Sequence, residues 1–299
     1  MSRPVYIKKT IGGMIFDICN TLLMCLMFFI MLYPFWNQLV LSFNEGTDAT
    51  RGGIYFWPRA FSLLNYRYMF GTAGLLKGAM ISLLRVAAGT ASNLFCSGIL
   101  AYVVSLRTFP GRRAVRLAAI ISMYIPVGLI PVYILYSGLG LLDTFHVYWI
   151  PSLISVWNML MISSYIMNQP ESLIESARLD GAREWQIYIR IIFPICIPVF
   201  AALAVITSVS HWNSWFDVMV FNPSGEWDTL QMYLRKILLK SDQINNMLDD
   251  AAKMAELRKL APRTIRATTT MIVTIPIVCV YPFMQKYFIS GISIGAVKG

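Results

Sequence analysis

Charged residues are absent from six long stretches of the chain. Each stretch is long enough to cross the hydrocarbon core of a bilayer as a helix, which takes about 20 residues. The stretches are residues 19–43, 86–106, 117–142, 144–169, 191–216 and 267–285. They lack the alternating segments of a membrane barrel, and an open sheet edge cannot lie in lipid. The pattern predicts an all-α polytopic membrane protein with six transmembrane helices.

Proline and glycine interrupt the third stretch. Pro126, Gly128 and Pro131 lie near its middle, where proline removes a backbone hydrogen bond and bends a helix. Such a break is tolerated at membrane depth only where protein or a cavity satisfies the freed backbone groups. A bend beside a translocation path and a bend that serves packing both explain this pattern.

Composition excludes an ordinary soluble domain. Hydrophobic residues make up 57% of the 299 residues and charged residues only 13%, against about a quarter charged in soluble proteins.

The five cysteines lie in the apolar stretches without a Cys-x-x-Cys pair, so we expect packing residues and no metal site. The net charge of +10 is spread over loop ends, which favours membrane lipid headgroups as partners and not nucleic acid. The first stretch is too long for the apolar region of a signal peptide, so we expect it in the mature protein.

Basic residues in the short loops predict the orientation. The N-terminal tail and the connection 107–116 are basic, whereas the connection near His146 carries no Lys or Arg. This asymmetry places both termini, the second connection and the fourth connection in the cytoplasm, with the chain as a multi-pass membrane protein. The long loop 222–266, predicted to be extracytoplasmic, carries eight basic residues, but long loops often disregard the charge rule. Within it, Leu230, Tyr233 and Leu234 begin an amphipathic helix for a membrane surface or a partner.

The fourth connection, residues 171–194, predicts a compact pair of helices. Pro170 and Glu171 suit the start of a helix, which continues to Leu179. The dipeptide Asp180-Gly181 ends it, because glycine readily adopts the left-handed conformation. A second short helix begins near Ala182. Such a helix–turn–helix, with acidic and basic residues interleaved, is suited to docking into a groove on a partner.

The sequence of this connection resembles the EAA loop of binding-protein-dependent ABC permeases. The matching residues are Glu175-Ser-Ala-x-x-Asp-Gly-Ala182 followed by Pro194, with Ser176 where the family usually has alanine. Over nearly its whole length the chain is similar to carbohydrate permeases of the MalG and LplC type. The similar segments are Trp57-Pro58, Asn65-Tyr66, Gly140-Leu-Leu-Asp-Thr144 and Gly295-Ala-Val-Lys-Gly299.

This resemblance implies a single permease domain over residues 1–299 with the type I ABC importer fold. It also implies an importer of sugars, and among them of oligosaccharides, in the inner membrane of a bacterial cell. The implied partners are two ATP-binding cassette subunits, a second homologous permease and an extracytoplasmic solute-binding protein. ATP and Mg would bind in the ATPase subunits, and this chain, which has no phosphate-binding P-loop sequence, would bind no cofactor and catalyse no reaction. The implied ATPase-coupling residues are Glu175, Ser176, Ala177, Asp180, Gly181 and Ala182, with Glu175 pairing with a basic residue of the ATPase. The implied tail contacts to the ATPase are Gly295, Ala296, Val297, Lys298 and Gly299.

Polar and aromatic residues inside the apolar stretches are candidates for a substrate path. Sugar sites combine aromatic faces with hydrogen-bonding groups. The candidates are Ser210, Trp212, Asn213 and Trp215 in the fifth stretch, Asn93 in the second and Asn158 in the fourth. An interfacial aromatic belt explains the tryptophans equally simply, and the two deeper asparagines could instead bond between helices. For Arg85, beside the second stretch, we expect the side chain to extend to the membrane surface.

Three other functions are considered at this point, two of them in transport and one enzymatic. An ABC permease for a non-sugar solute would share the EAA loop. An ion-coupled secondary transporter would need acidic or basic residues within the membrane, and the six stretches contain none. A membrane enzyme would need clustered catalytic residues, and the two histidines, His146 and His211, are far apart in sequence.

Overall fold

The computed structural model describes residues 10–125, 127–244 and 261–296, and within these ranges the regular structure is helical. In chain order the helices are α1 (Ile11–Ser42), α2 (Gly46–Thr50), α3 (Leu64–Phe70), α4 (Ala73–Ser105), α5 (Arg112–Tyr124), α6 (Leu129–Gly138), α7 (Val156–Met167), α8 (Ser172–Leu179), α9 (Glu184–Ile187), α10 (Phe193–Ile195), α11 (Ile197–Asn213), α12 (Phe216–Phe221), α13 (Leu230–Ile244) and α14 (Pro262–Ala296). A 3-10 turn spans Phe145–Tyr148 and a π-helical turn spans Tyr188–Ile192. The predicted all-α class is confirmed.

Three of the predicted membrane spans form continuous helices. Within the described residues, Ile11–Ser42, Gly74–Ser105 and Pro262–Val280 are long and apolar enough to cross a bilayer. They correspond to the first, second and sixth apolar stretches. These spans follow the charge-free pattern, and α1 and α14 stay continuous although Pro34 and Pro276 lie inside them.

The third and fifth stretches form bent pairs of helices. The bend predicted in the third stretch is confirmed, whereas the prediction of one unbroken helix for the fifth was wrong. The axes of α5 and α6 differ by 117°, and those of Glu184–Ile195 and α11 differ by 77°. Gly128 precedes α6 with a φ of +75°, a left-handed conformation that glycine adopts without steric cost. Pro198 lies in the first turn of α11 and cannot donate a hydrogen bond to the preceding turn. Pro126 lies outside the described residues.

The fourth stretch is α-helical only over α7, which has 12 residues, with the 3-10 turn Phe145–Tyr148 near its start. The prediction of one helix through the whole of 144–169 was therefore wrong. Pro151 disfavours a helical conformation at the residue before it. Ser155 then caps α7, and its hydroxyl accepts a hydrogen bond from the Asn158 backbone at 3.3 Å. Pro151 and the Ser155 cap therefore place the start of α7 at Val156, well after the beginning of the apolar stretch.

The backbone contacts divide the chain into two compact units. The first unit comprises Met1–Gly71 and Leu238–Ile272. In it, the buried Asn65 amide donates hydrogen bonds to the carbonyl oxygens of Ser42 at 3.1 Å and Asn44 at 2.9 Å. The Asn65 carbonyl oxygen accepts one from the Thr264 hydroxyl at 3.0 Å. One fully bonded side chain thus joins α1, α3 and α14, which compensates its burial.

The second unit comprises Thr72–Ile237 and Val273–Gly299, and α4 lies at its centre between α7 and α11. Gly98 permits the close approach of α4, because a Cβ atom there would lie 2.7 Å from the Phe200 ring and from the Tyr188 hydroxyl. The predicted amphipathic helix is α13. Its residues Leu230 and Leu234 are buried within the protein itself, so that part of its apolar face is not left for a membrane surface.

Candidate functional site

Helix α8 forms the first half of the predicted helix–turn–helix and ends in a glycine-dependent turn. Gly181 has a φ of +78°. The Gly181 backbone N–H bonds to the Arg178 carbonyl at 3.0 Å, and that of Ala182 reaches back to the Ala177 carbonyl at 3.0 Å. This pair of bonds is the Schellman motif, which satisfies carbonyl groups at the helix end. The predicted helix bounds and the break at Asp180-Gly181 are confirmed.

The two sides of α8 have opposite environments. Ala177 is 8% exposed and belongs to the apolar core that contains Ile187 and Tyr188. Leu179 is 89% exposed, and Glu175 and Ser176 are also exposed. The outward side of α8 therefore presents a leucine, a carboxylate and a hydroxyl, whereas its inward side packs on the core.

A hydrogen-bonded triad links α8 to α4. The Glu184 carboxylate accepts from the Tyr102 hydroxyl at 2.6 Å and from Arg178 Nε at 2.9 Å. The bond to Glu184 is the first cause of a raised pKa at Arg178. Tyr102 is buried on α4 and Glu184 begins α9, so the triad ties both short helices to the central helix. We call it the Tyr102–Glu184–Arg178 triad.

Sequence reasoning missed this triad. The alternating charges of the fourth connection hinted at an Arg178–Glu184 pair, six residues apart. Nothing marked Tyr102, which is 82 residues from Glu184 in the chain. The contact exists because the fold brings the end of α4 next to the start of α9.

The two deeper asparagines bond between helices. The Asn158 amide donates to Asn93 Oδ1 at 2.7 Å and to Thr207 Oγ1 at 3.2 Å, and Asn93 in turn donates to the Ser152 carbonyl. Both asparagines are buried, at 3% and 4% exposure. The structure therefore shows these two asparagines in hydrogen bonds between helices, the second of the two interpretations given above for them.

The remaining substrate-path candidates lie together at the end of α11. The Trp212 indole donates to the Val273 carbonyl at 3.3 Å, and the Asn213 side chain accepts from Gln231 at 3.2 Å. The Trp215 ring lies 3.7 Å from the Arg235 guanidinium carbon, in a cation–π contact. Ser210 and Asn213 are exposed and the two tryptophans are half-buried. Contact of these four residues with a substrate stays a prediction.

Arg85 is buried, which contradicts the expectation that it extends to the membrane surface. Its side chain is 4% exposed and forms an ion pair with Asp217, and its guanidinium carbon lies 4.7 Å from the centre of the Tyr148 ring. Asp217 also accepts hydrogen bonds from Ser214 Oγ at 2.6 Å and from the Val218 backbone at 2.9 Å. A counter-ion 132 residues away neutralises the arginine inside the protein, although its buried Nε atom has no hydrogen-bond partner.

The predicted tail contacts fall at the end of the described chain. Gly295 and Ala296 lie in the last turn of α14, and Val297, Lys298 and Gly299 lie outside the described residues. Across the described ranges no group of three His, Cys, Asp or Glu side chains is arranged to hold a metal ion.

Comparison with known proteins identifies the family. The model of the family "Binding-protein-dependent transport system inner membrane component" matches residues 94–294, more than half of the chain. Protein LplC of Bacillus subtilis is 33% identical over 97% of this chain and 97% of its own length. The polygalacturonan/rhamnogalacturonan transport system permease protein YtcP of the same organism is 31% identical over 90% of this chain and 93% of its own length.

A solved structure has the same fold. A crystal structure of a bacterial ABC transporter involved in the import of the acidic polysaccharide alginate contains a chain with a TM-score of 0.82 and 25% sequence identity. The match covers 96% of this chain and 100% of that chain. The type I importer permease fold expected from the EAA resemblance is thereby confirmed, and components of this family are non-enzymatic. The chain belongs to the family of inner membrane components of binding-protein-dependent transport systems.

Proposed function

We propose that this chain is one transmembrane subunit of an ATP-driven importer of oligosaccharides, with α8 as the helix that receives motion from an ATPase subunit. The single observation that carries the coupling role is the exposure of Glu175 and Leu179 on a helix whose opposite side is anchored by Ala177. The oligosaccharide substrate is supported by the similar proteins, which include a polygalacturonan/rhamnogalacturonan permease and a component of an alginate importer.

In this mechanism the Tyr102–Glu184–Arg178 triad transmits force. An ATPase dimer that closes displaces α8 sideways, and a helix held only by its backbone connections would yield. The bonds from Arg178 and Tyr102 to Glu184, at 2.9 and 2.6 Å, make α8 and the end of α4 move together. Because α4 lies between α7 and α11, its displacement changes the packing of the helices that enclose the path.

The rest of the assembly follows from the same proposal. Two ATP-binding cassette subunits supply ATP and Mg, a second homologous permease completes the pore, and an extracytoplasmic binding protein delivers the solute. The α8 side and both termini face the cytoplasm, and residues 295–299 contact the ATPase pair. Ser210, Trp212, Asn213 and Trp215 line the outer part of the path.

The coupling role is tested by substitutions on the exposed side of α8. Glu175→Lys and Leu179→Asp change side chains that are exposed, so both variants should insert and fold normally. We expect each variant to lose the ATPase subunit during purification in detergent and to lose uptake of oligosaccharide by cells. Glu226→Lys, the same charge reversal at an exposed site on the predicted external side, serves as the matched control and should retain both. Full assembly and uptake in the α8 variants would refute the coupling role.

The substrate class needs a separate assay. ATP hydrolysis by the reconstituted importer should rise when its binding protein carries an oligosaccharide. Uronic-acid oligosaccharides and neutral ones of the same length can be compared directly. A rise with amino acids or inorganic anions, and none with either sugar series, would retain the permease family but overturn the sugar assignment.

A further inference from the structure

A cavity of about 410 Å³ opens between the end of α4, the start of α5, the end of α7 and α8. Arginine is the charged residue that dominates its lining. The lining arginines are Arg107, Arg112, Arg113, Arg116 and Arg178, and the acidic residues are Glu171 and Glu175. We call this cavity the arginine pocket. Its volume lies within the range of about 300–1,000 Å³ that is usual for small-molecule sites.

The positive charge of the pocket is only partly balanced. Arg107 pairs with Glu171 at 2.8 Å, and Arg178 is bound to Glu184. Arg112, Arg113 and Arg116 form no ion pair within the part of the chain that the structure describes. Three guanidinium groups therefore face one cavity without a carboxylate partner, and an anion in it would gain attraction from all three.

Arg116 is held in place before any ligand binds. Its Nη2 atom donates to Ser163 Oγ at 3.3 Å and approaches Met167 Sδ at 3.3 Å, both on α7. Its Nε atom is buried and has no hydrogen-bond partner. A buried guanidinium N–H without an acceptor is costly, and an anionic oxygen in the pocket could accept from the same group.

The remaining lining selects the type of anion. Val104, Leu106, Ile166 and Ile174 give the pocket an apolar wall beside its arginines. The pocket also lies at the ends of α4 and α7, two apolar helices, where a lipid headgroup would be found. Basic pockets between membrane helices on the cytoplasmic side are sites for anionic lipid headgroups. A soluble phosphate would use the arginines but not the apolar wall.

We propose that the arginine pocket binds the phosphate group of an anionic phospholipid, with Arg113 and Arg116 as its principal ligands. Ile174, Glu175 and Arg178 of α8 contribute to the same lining. An occupied pocket therefore fills the space between α8 and the ends of α4 and α7 and supports this helix there. The lipid site is independent of whether α8 contacts an ATPase.

The test measures lipid retention by the full chain purified with its partner subunits. Native mass spectrometry would compare bound phosphatidylglycerol with bound phosphatidylcholine in three proteins. These are the wild type, the pocket variant Arg113→Gln/Arg116→Gln, and the charge-matched control Arg51→Gln/Arg67→Gln, whose sites lie outside the pocket. We expect about fivefold weaker phosphatidylglycerol binding for each pocket arginine removed, and wild-type binding in the control. Arg113→Gln alone, at an exposed side chain, keeps the test valid if the double variant does not fold.

A second arm separates the two possible sources of phosphate. Inorganic phosphate in large excess should leave the phosphatidylglycerol bound, because it lacks acyl chains. Displacement by inorganic phosphate would show a site for a soluble anion and overturn the lipid assignment. Equal loss of lipid in the pocket variant and the control would show general surface attraction, and equal retention in both would show that the arginines bind no lipid. Either result would refute the proposal.

Discussion

Replacing either member of the Arg85–Asp217 ion pair should destabilise the second unit, because the remaining charge loses its partner. The Arg85 side chain is 4% exposed, whereas that of Asp217 is 29% exposed. Asp217→Asn keeps a hydrogen-bond acceptor but removes the counter-charge, which leaves Arg85 a buried, unpaired cation over the Tyr148 ring. Arg85→Met leaves a carboxylate that still accepts from Ser214 and the Val218 backbone and reaches solvent. The two single substitutions should therefore differ in cost.

The magnitudes follow from the exposure of each partner. Breaking a buried ion pair by removing one partner costs about 3–5 kcal/mol, so we expect about 3 kcal/mol for Asp217→Asn. For Arg85→Met we expect about 1–2 kcal/mol, because the charge that remains is partly solvated. The double variant should cost less than the sum, with a coupling energy of about 1–3 kcal/mol. Glu171→Gln, which removes an ion pair with side chains 73% and 42% exposed, is the control and should cost less than about 1 kcal/mol.

The assay is thermal unfolding of the purified protein in detergent, for the two single variants, the double variant and the control. At about 2–4 °C per kcal/mol, Asp217→Asn should lower the midpoint by about 6–12 °C and Arg85→Met by about 2–8 °C, one to two thirds as much. Equal shifts in the two single variants would contradict the argument from solvent exposure. A double variant whose shift equals the sum of the single shifts would show that the pair is not coupled.

Two glycines give further predictions. Gly181→Val should shorten or displace α8, since a β-branched residue at a φ of +78° costs about 1–2 kcal/mol, and this variant should retain less of the ATPase subunit on purification. Asparagine tolerates the left-handed conformation, so the control Gly181→Asn should retain the ATPase subunit. Equal ATPase retention by the two variants would contradict a role for the turn. Gly98→Leu should lower the unfolding midpoint by an amount that corresponds to about 3 kcal/mol, because a Cβ atom at this position would already lie 2.7 Å from two buried side chains. The control is Gly12→Leu, since nothing lies within 4 Å of the Cβ position of Gly12. Equal shifts of the midpoint in the two variants would show that α4 is not closely packed at Gly98.

Features that depend on neighbouring residues could be predicted from the sequence. The bounds of α8 and its end at Gly181 follow from helix-start residues, apolar periodicity and a glycine that the turn requires. The continuous spans α1, α4 and α14 follow from the absence of charge. The same reasoning overestimated α7, because hydropathy alone ignores the break at Pro151 and the cap at Ser155.

Contacts between distant segments were decided by the tertiary structure. The ion pair of Arg85 with Asp217, the bond of Tyr102 to Glu184 and the arginine pocket each join residues tens of positions apart. The apolar pattern of the sequence predicts which side chains are buried away from water. It does not predict which polar groups bond to one another, since many partners satisfy a buried charge equally well. By itself the sequence determined the membrane class, the helical fold and the helix–turn–helix that contains α8, because these depend on local conformational preference and on hydrophobicity. Only the packing of α4 against α7 and α11 decided which buried polar groups pair and where a cavity remains.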